Sequence, residues 1–244
     1  MIIVTLLSDV PDGFRPTILD LVLATTAAIG LPLAAGVLFN VTGALIPLLL
    51  YYGVFSWVIV RWRRGGVGYE IRGGEVRSQF RGYITSLFVV MFLLQFALVG
   101  IEWITAERVT DFNLVGFMVT FLIWAPVNAF SEQLIWIYTF DSYAEFFQEG
   151  PKRSIMIGIG GTLYIIFIGM IHALFWGLFL EGSKYVFPFS ELFIPMQLLI
   201  SIGYIFLYRQ AKSMWPLGLN HVIINLTAIA FSGFSILPYL LVFG

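Results

Sequence analysis

Apolar residues run almost unbroken through seven stretches: Ile18–Leu38, Val41–Val60, Ile84–Ile104, Leu114–Phe140, Ile155–Leu180, Leu192–Tyr208 and Leu217–Phe243. Each is close to the roughly 20 residues a helix needs to cross a bilayer. Most lack the polar stripe at helical spacing that a soluble helix turns to water. The pattern predicts an all-α fold, a polytopic transmembrane helical bundle of seven spans, or eight. It is read as one integral membrane domain over 1–244, with its chemical core at 114–243. Polar segments separate the runs, and Gly65-Gly66 and Gly73-Gly74 mark turns in the first long one. Pro126 can kink the fourth span. No internal repeat or low-complexity segment is visible.

Composition sharpens this picture. Hydrophobic residues make up 59% of the chain and charged ones 11%, with a mean hydropathy of +0.93. Soluble domains lie near half apolar and about a quarter charged. The chain has no cysteine, which excludes thiol catalysis, disulfides, thiolate metal sites and lipids attached through sulfur. No cleavable leader is expected: Met1–Phe14 contains Asp9 and Asp12 and lacks a basic region before an apolar core.

The charges are sided. If the spans alternate, Arg15, Arg61, Arg63, Arg64, Arg72, Arg77, Arg81, Lys152, Arg153, Arg209 and Lys212 share one side, and only Arg108 and Lys184 face the other. The positive-inside rule then puts the N-terminus in the cytoplasm, in a multi-pass protein of the cell membrane. The basic loop Arg61–Arg81 reads as this topology signal with anionic-lipid contact, so membrane lipids are expected partners and nucleic acid is not. Trp57, Trp62, Trp103 and Trp215 lie near span ends and read as interface anchors. Gly158, Gly160 and Gly161 allow close approach of a neighbouring helix.

Against this background a few polar residues stand out. Glu132 lies inside an apolar run, where a charged group costs a few kcal/mol or more and usually has a function. The two histidines of the chain, His172 and His221, also lie in apolar runs. Asn128 precedes Glu132 by four residues and shares its helix face; His221 and Asn225 are related in the same way. Groups of this kind gain most in hydrocarbon by meeting one another. A carboxylate in such a pocket can take a proton from water, a neutral histidine can orient that water, and a histidine and an amide can donate to an oxyanion. Glu132, His172 and His221 are also the types that ligate a divalent metal such as zinc. Other readings use the same residues. Each alone can be a packing residue, and a small-molecule or proton-coupled transporter would carry them too, often with broken helices and repeated halves.

From Leu198 the chain reads as a helix, a basic turn Arg209-Gln-Ala-Lys212, a Trp215-Pro216 step and then His221-x-x-x-Asn225. This resembles the last signature region of the CPBP family of intramembrane proteases, which includes type II CAAX prenyl proteases and bacteriocin-processing or immunity proteins. The resemblance extends from Asn128 to Leu226 in the same order. It implies a membrane-embedded metalloprotease, a peptidase cutting near the cytoplasmic face. Its substrate is a peptide or prenylated C-terminal peptide. Glu132 then activates water, His172 assists it, and His221 with Asn225 forms the oxyanion hole. The chain departs from the family pattern at Gln133 for the second Glu, Ile137 for Arg and Ile168 for the Phe before the histidine. Gln133 and Ile137 are both neutral, so no buried charge is left unpaired. The departures favour a rival reading, a catalytically inactive member that binds a peptide or partner as a scaffold.

The levels of these residues set a geometric condition. Glu132 lies roughly 12 Å from the cytoplasmic end of its run and His172 roughly 26 Å into its own, at 1.5 Å per residue. For the two to meet, the expectation is a break or surface segment at Ile155–Gly161, with the fifth helix starting near Thr162.

Overall fold

The structure, a computed structural model, describes residues 13–70, 83–105, 111–178 and 190–241. Asp9, Asp12, Arg72, Gly73, Gly74, Arg77, Arg81, Arg108 and Lys184, and the side chain of Trp103, lie outside the described residues. Every regular element among those described is helical. Helix α1 is Ile18–Thr42, α2 Leu45–Arg64, α3 Tyr83–Thr105 and α4 Leu114–Ala144. Helix α5 is Gly150–Leu174, followed by a 3-10 turn at Trp176–Leu178. Helix α6 is Ser190–Ala211, α7 Trp215–Ser232 and α8 the short Leu237–Leu240. Among the described residues, four segments are long and apolar enough to cross a membrane: α1, α2, α4 and Gly150–Leu178.

Local chemistry sets the boundaries. The Thr17 N–H and hydroxyl both donate to Asp20 Oδ2, at 2.7 and 2.8 Å, so the carboxylate in the first turn closes the start of α1. Gly43 separates α1 from α2 with φ 72°, and a Cβ there would stand 2.7 Å from the Leu240 carbonyl oxygen. Asn113 caps α4 by accepting from the Gly116 N–H at 3.0 Å. Pro126 does not break α4: a π turn at Thr120–Trp124 precedes it and absorbs the missing donor and the crowded carbonyl. The seventh apolar run is not one helix. Gly233, with φ 72°, ends α7 at Ser232, and the chain turns into α8.

The bundle is built around α4. Every residue from Ser131 to Ser142 is buried, including Ser131, Glu132, Gln133, Thr139, Asp141 and Ser142. Leu33, Val37, Val41, Leu122 and Ile155, on other faces, are more than half exposed. The polar residues of α4 are therefore central, among buried apolar ones, and the exposed faces of the spans are apolar. A bilayer favours that arrangement, because lipid solvates apolar side chains and leaves polar ones to pair inside.

One end of the bundle is held by ions. Arg63 pairs with Asp20 at 2.8 Å, and the Tyr138 hydroxyl donates to the same carboxylate at 2.8 Å. Arg64 reaches Asp141 at 2.9 Å and the Tyr208 hydroxyl at 2.6 Å. Arg209 pairs with Asp141 and, at 2.7 Å, with Glu145, which also faces Arg153 at 3.6 Å. Burial pushes the Glu145 carboxyl above its ordinary range, against the pull of Arg209. The start of α1, the ends of α2, α4 and α6 and the start of α5 thus meet at one basic end. The other end is tied by the Ala44 N–H to the Tyr239 carbonyl at 2.7 Å and the Ile236 N–H to Thr120 Oγ1 at 2.9 Å.

The expected break at Ile155–Gly161 is absent: α5 is continuous from Gly150. Register solves the level problem instead. A Cβ on Gly160 would lie 2.8 Å from Tyr143 Cβ and 2.9 Å from the Phe140 carbonyl oxygen, so only glycine lets α5 seat there. From that contact, Tyr143 to Glu132 and Gly160 to His172 are nearly equal rises, about 17 and about 18 Å. Gly150–Ile159 lies on the far side of the contact and supplies the extra length. A Cβ on Gly158 or Gly161 would meet nothing within 4 Å, so these two glycines do not share the role.

Gly160→Ala is expected to destabilise the protein by about 1–3 kcal/mol through overpacking. Gly158→Ala is expected to be neutral or to gain up to about 1 kcal/mol from helix propensity. Thermal unfolding of the two variants in detergent checks this, and equal melting temperatures would contradict the register.

Candidate functional site

Glu132 sits in the buried stretch of α4 and is 2% exposed. Its Oε1 accepts from the Trp176 indole N–H at 2.9 Å. Tyr51 and Asn128 stand near the carboxylate. Its Oε2 faces His221 Nε2 across 3.9 Å, beyond a hydrogen bond.

Both histidines are oriented through Nδ1. That of His172 donates to the Ile168 carbonyl at 2.8 Å, one turn back, so the neutral ring carries its lone pair on Nε2. That of His221 accepts from the Gln133 amide at 2.9 Å, so the neutral ring carries its hydrogen on Nε2, the atom turned to Glu132. Gln133 thus sets the tautomer of His221. Its Oε1 is buried with no hydrogen-bond partner among the described residues. The Trp136 ring stands 6.1 Å from each imidazole, and Tyr204 stacks on His221 at 6.2 Å.

Asn225 meets Asn128, not Glu132. Its amide donates to Asn128 Oδ1 at 2.7 Å and, weakly, to the Ala125 carbonyl at 3.4 Å. Asn128 in turn donates to the Tyr52 hydroxyl at 2.6 Å. Ile137 is fully buried among apolar neighbours. The structure therefore brings Glu132 and His221 face to face, sets each histidine against Trp136, and joins Asn225 to Asn128, one turn before Glu132.

Sequence reasoning missed the aromatic groups. Tyr51 and Tyr52 lie in a π-helical stretch of α2, Leu49–Ile59, where the wider turn brings consecutive side chains closer in direction. Their rings are 5.1 Å apart, and the Tyr51 hydroxyl accepts from the Trp136 indole N–H at 2.7 Å. A second buried group, Gln95 with Tyr204 and Asn220, joins α3, α6 and α7 beside His221. Gln95 in an apolar run was the one readable signal; aromatic residues in such runs look like lipid-facing ones.

The metal reading does not fit. Among the described residues, no three His, Cys, Asp or Glu side chains are grouped as ligands for one ion, and Glu132, His172 and His221 do not converge on a point. Zinc needs its nitrogen and oxygen donors at about 2.0–2.2 Å from one centre. No protein-family model matches the chain, and no match is found among curated proteins or solved structures.

Asn128→Leu removes the partner of both Asn225 and Tyr52 and is expected to cost about 1–3 kcal/mol. Thermal unfolding measures the loss, and an unchanged midpoint would mean that the asparagine pair does not hold α4 to α7.

Proposed function

We propose that the chain is an intramembrane endopeptidase of the CAAX protease type, with Glu132 as the base that activates water. The observation that carries this reading is the pairing of a buried Glu132 Oε2 with His221 Nε2 at 3.9 Å, inside an apolar bundle. Glu132 takes one proton from water, and the N–H of His221 and the lone pair of His172 orient the oxygen. The hydroxide adds to a peptide carbonyl, and the proton held on Glu132 passes to the leaving amine. The substrate is a membrane peptide, prenylated at its C-terminus or unmodified, reached in contact with membrane lipids.

The same proposal takes the bundle as seven spans of the cell membrane with its N-terminus cytoplasmic. The convergence of Arg63, Arg64, Arg153 and Arg209 at one end supports that orientation. Scission then falls on the cytoplasmic side.

One observation favours a second reading. The Asn225 amide, the expected oxyanion donor, is engaged with Asn128 at 2.7 Å. A peptide-binding member without turnover would tolerate that bond.

Purified protein incubated with a farnesylated CAAX peptide, and with an unrelated transmembrane peptide, separates the two. Cleavage that falls by about 10²–10⁴ in Glu132→Ala is the expected result. Equal cleavage by wild type and Glu132→Ala would overturn the assignment of the base. Saturable binding without product would favour the scaffold.

A further inference from the structure

Resting on the peptidase reading, we infer that Tyr52 is a catalytic residue of this site, the hydrogen-bond donor that meets the oxyanion. Four observations lead there.

The first is direction. The π-helical stretch Leu49–Ile59 turns two consecutive tyrosines toward α4, with Tyr51 fully buried and Tyr52 6% exposed. Such segments frequently mark functional sites. The Tyr52 hydroxyl meets Asn128, one turn before Glu132, and its ring lies 6.4 Å from that of Trp176, which donates to Glu132.

The second is the division of labour between the phenols. Tyr51 accepts from Trp136 at 2.7 Å and stands near Glu132, the acceptor toward which its own hydrogen can turn. It is a positioning residue. Tyr52 accepts from Asn128 at 2.6 Å, and its hydroxyl hydrogen has no acceptor among the described residues. A phenol whose oxygen already receives one hydrogen bond is the stronger donor through its own.

The third is that the obvious rival is occupied. The Asn225 amide is held by Asn128 Oδ1 and the Ala125 carbonyl. Those bonds would have to break before it reached a substrate oxygen.

The fourth is connection. Asn225, Asn128 and Tyr52 form a continuous chain of donors, each directed to the next, which ends at the Tyr52 O–H. Asn225 then acts through Asn128 and Tyr52, which makes it a positioning residue.

Glu132 accepts one proton of water while the water oxygen forms a bond to the carbonyl carbon. The π pair of the carbonyl moves onto its oxygen, which accepts the hydrogen bond from Tyr52 without taking the proton. As the pair returns, the carbon–nitrogen bond breaks and the Glu132 proton passes to the amine. The products are an acid and an amine, and Tyr52 ends as it began.

The test is steady-state cleavage of the farnesylated CAAX peptide by wild type, Tyr52→Phe, Tyr51→Phe and Glu132→Ala. Loss of an oxyanion donor lowers kcat by about 10²–10³. Tyr52→Phe is expected to show that loss with KM within about twofold, because the bond forms only in the transition state. A phosphinic analogue of the same peptide, whose tetrahedral anion imitates the intermediate, should bind Tyr52→Phe at least about tenfold more weakly than wild type. Its binding is a readout that a packing role does not move. Tyr51→Phe should shift the pH profile of kcat without this selective loss of analogue affinity. Wild-type kcat in Tyr52→Phe, with cleavage still lost in Glu132→Ala, would overturn the role of Tyr52 and leave the peptidase reading standing. Failure of wild type to cleave this peptide and the unrelated one would overturn both.

Discussion

A carboxylate inside an apolar bundle has to be met by hydrogen-bond donors, because an uncompensated buried charge costs several kcal/mol. Glu132 accepts from Trp176, beyond α5, and has Tyr51 on α2, Asn128 on its own helix and His221 on α7 around it, the last at 3.9 Å. The groups that serve Glu132 are themselves fixed. Trp136 donates to Tyr51, Gln133 to His221, and His172 donates to a carbonyl of its own helix. Satisfaction of one residue thereby propagates into the orientation of three helices around α4.

The same logic operates at the basic end by different means. There, Asp20, Asp141 and Glu145 are matched by Arg63, Arg64, Arg153 and Arg209. Removing one member of a buried pair costs about 3–5 kcal/mol, so these ions fix which helix ends lie together more than they add net stability. Between the two polar regions, α4 runs buried on every face, and Gly160 sets how α5 slides along it. The site depends on both, because a shift of one turn moves His172 by about 5–6 Å.

Much of this was legible in the sequence, for a physical reason. Polar residues deep in apolar runs are expensive, so Glu132, His172, His221 and Asn225 stood out, and an all-helical fold followed from run length. Other parts were not legible. Tyr51, Tyr52, Trp136 and Trp176 have the composition of lipid-facing positions, and a helix that is apolar all round does not reveal which face is inward. Register was hidden as well. Gly158, Gly160 and Gly161 look alike in sequence, yet only Gly160 meets the backbone of α4. A continuous α5 extending past that contact therefore reads, in sequence, as a helix that must break. The level at which apolar runs begin says nothing about how far one helix projects beyond its partner.

The most direct test of this account uses the natural absence of cysteine. The pair Phe140→Cys and Tyr164→Cys, which replaces two rings that face each other at 6.4 Å and leaves Gly160 in place, should be bridged in native membranes by a short membrane-permeant bifunctional thiol reagent. A control pair one turn away, Phe140→Cys and Ile168→Cys, should not. Crosslinking at 140/164 alone means that α4 and α5 hold the register that brings His172 to the level of Glu132. Crosslinking at 140/168 instead would displace the histidine by about a turn and contradict the site.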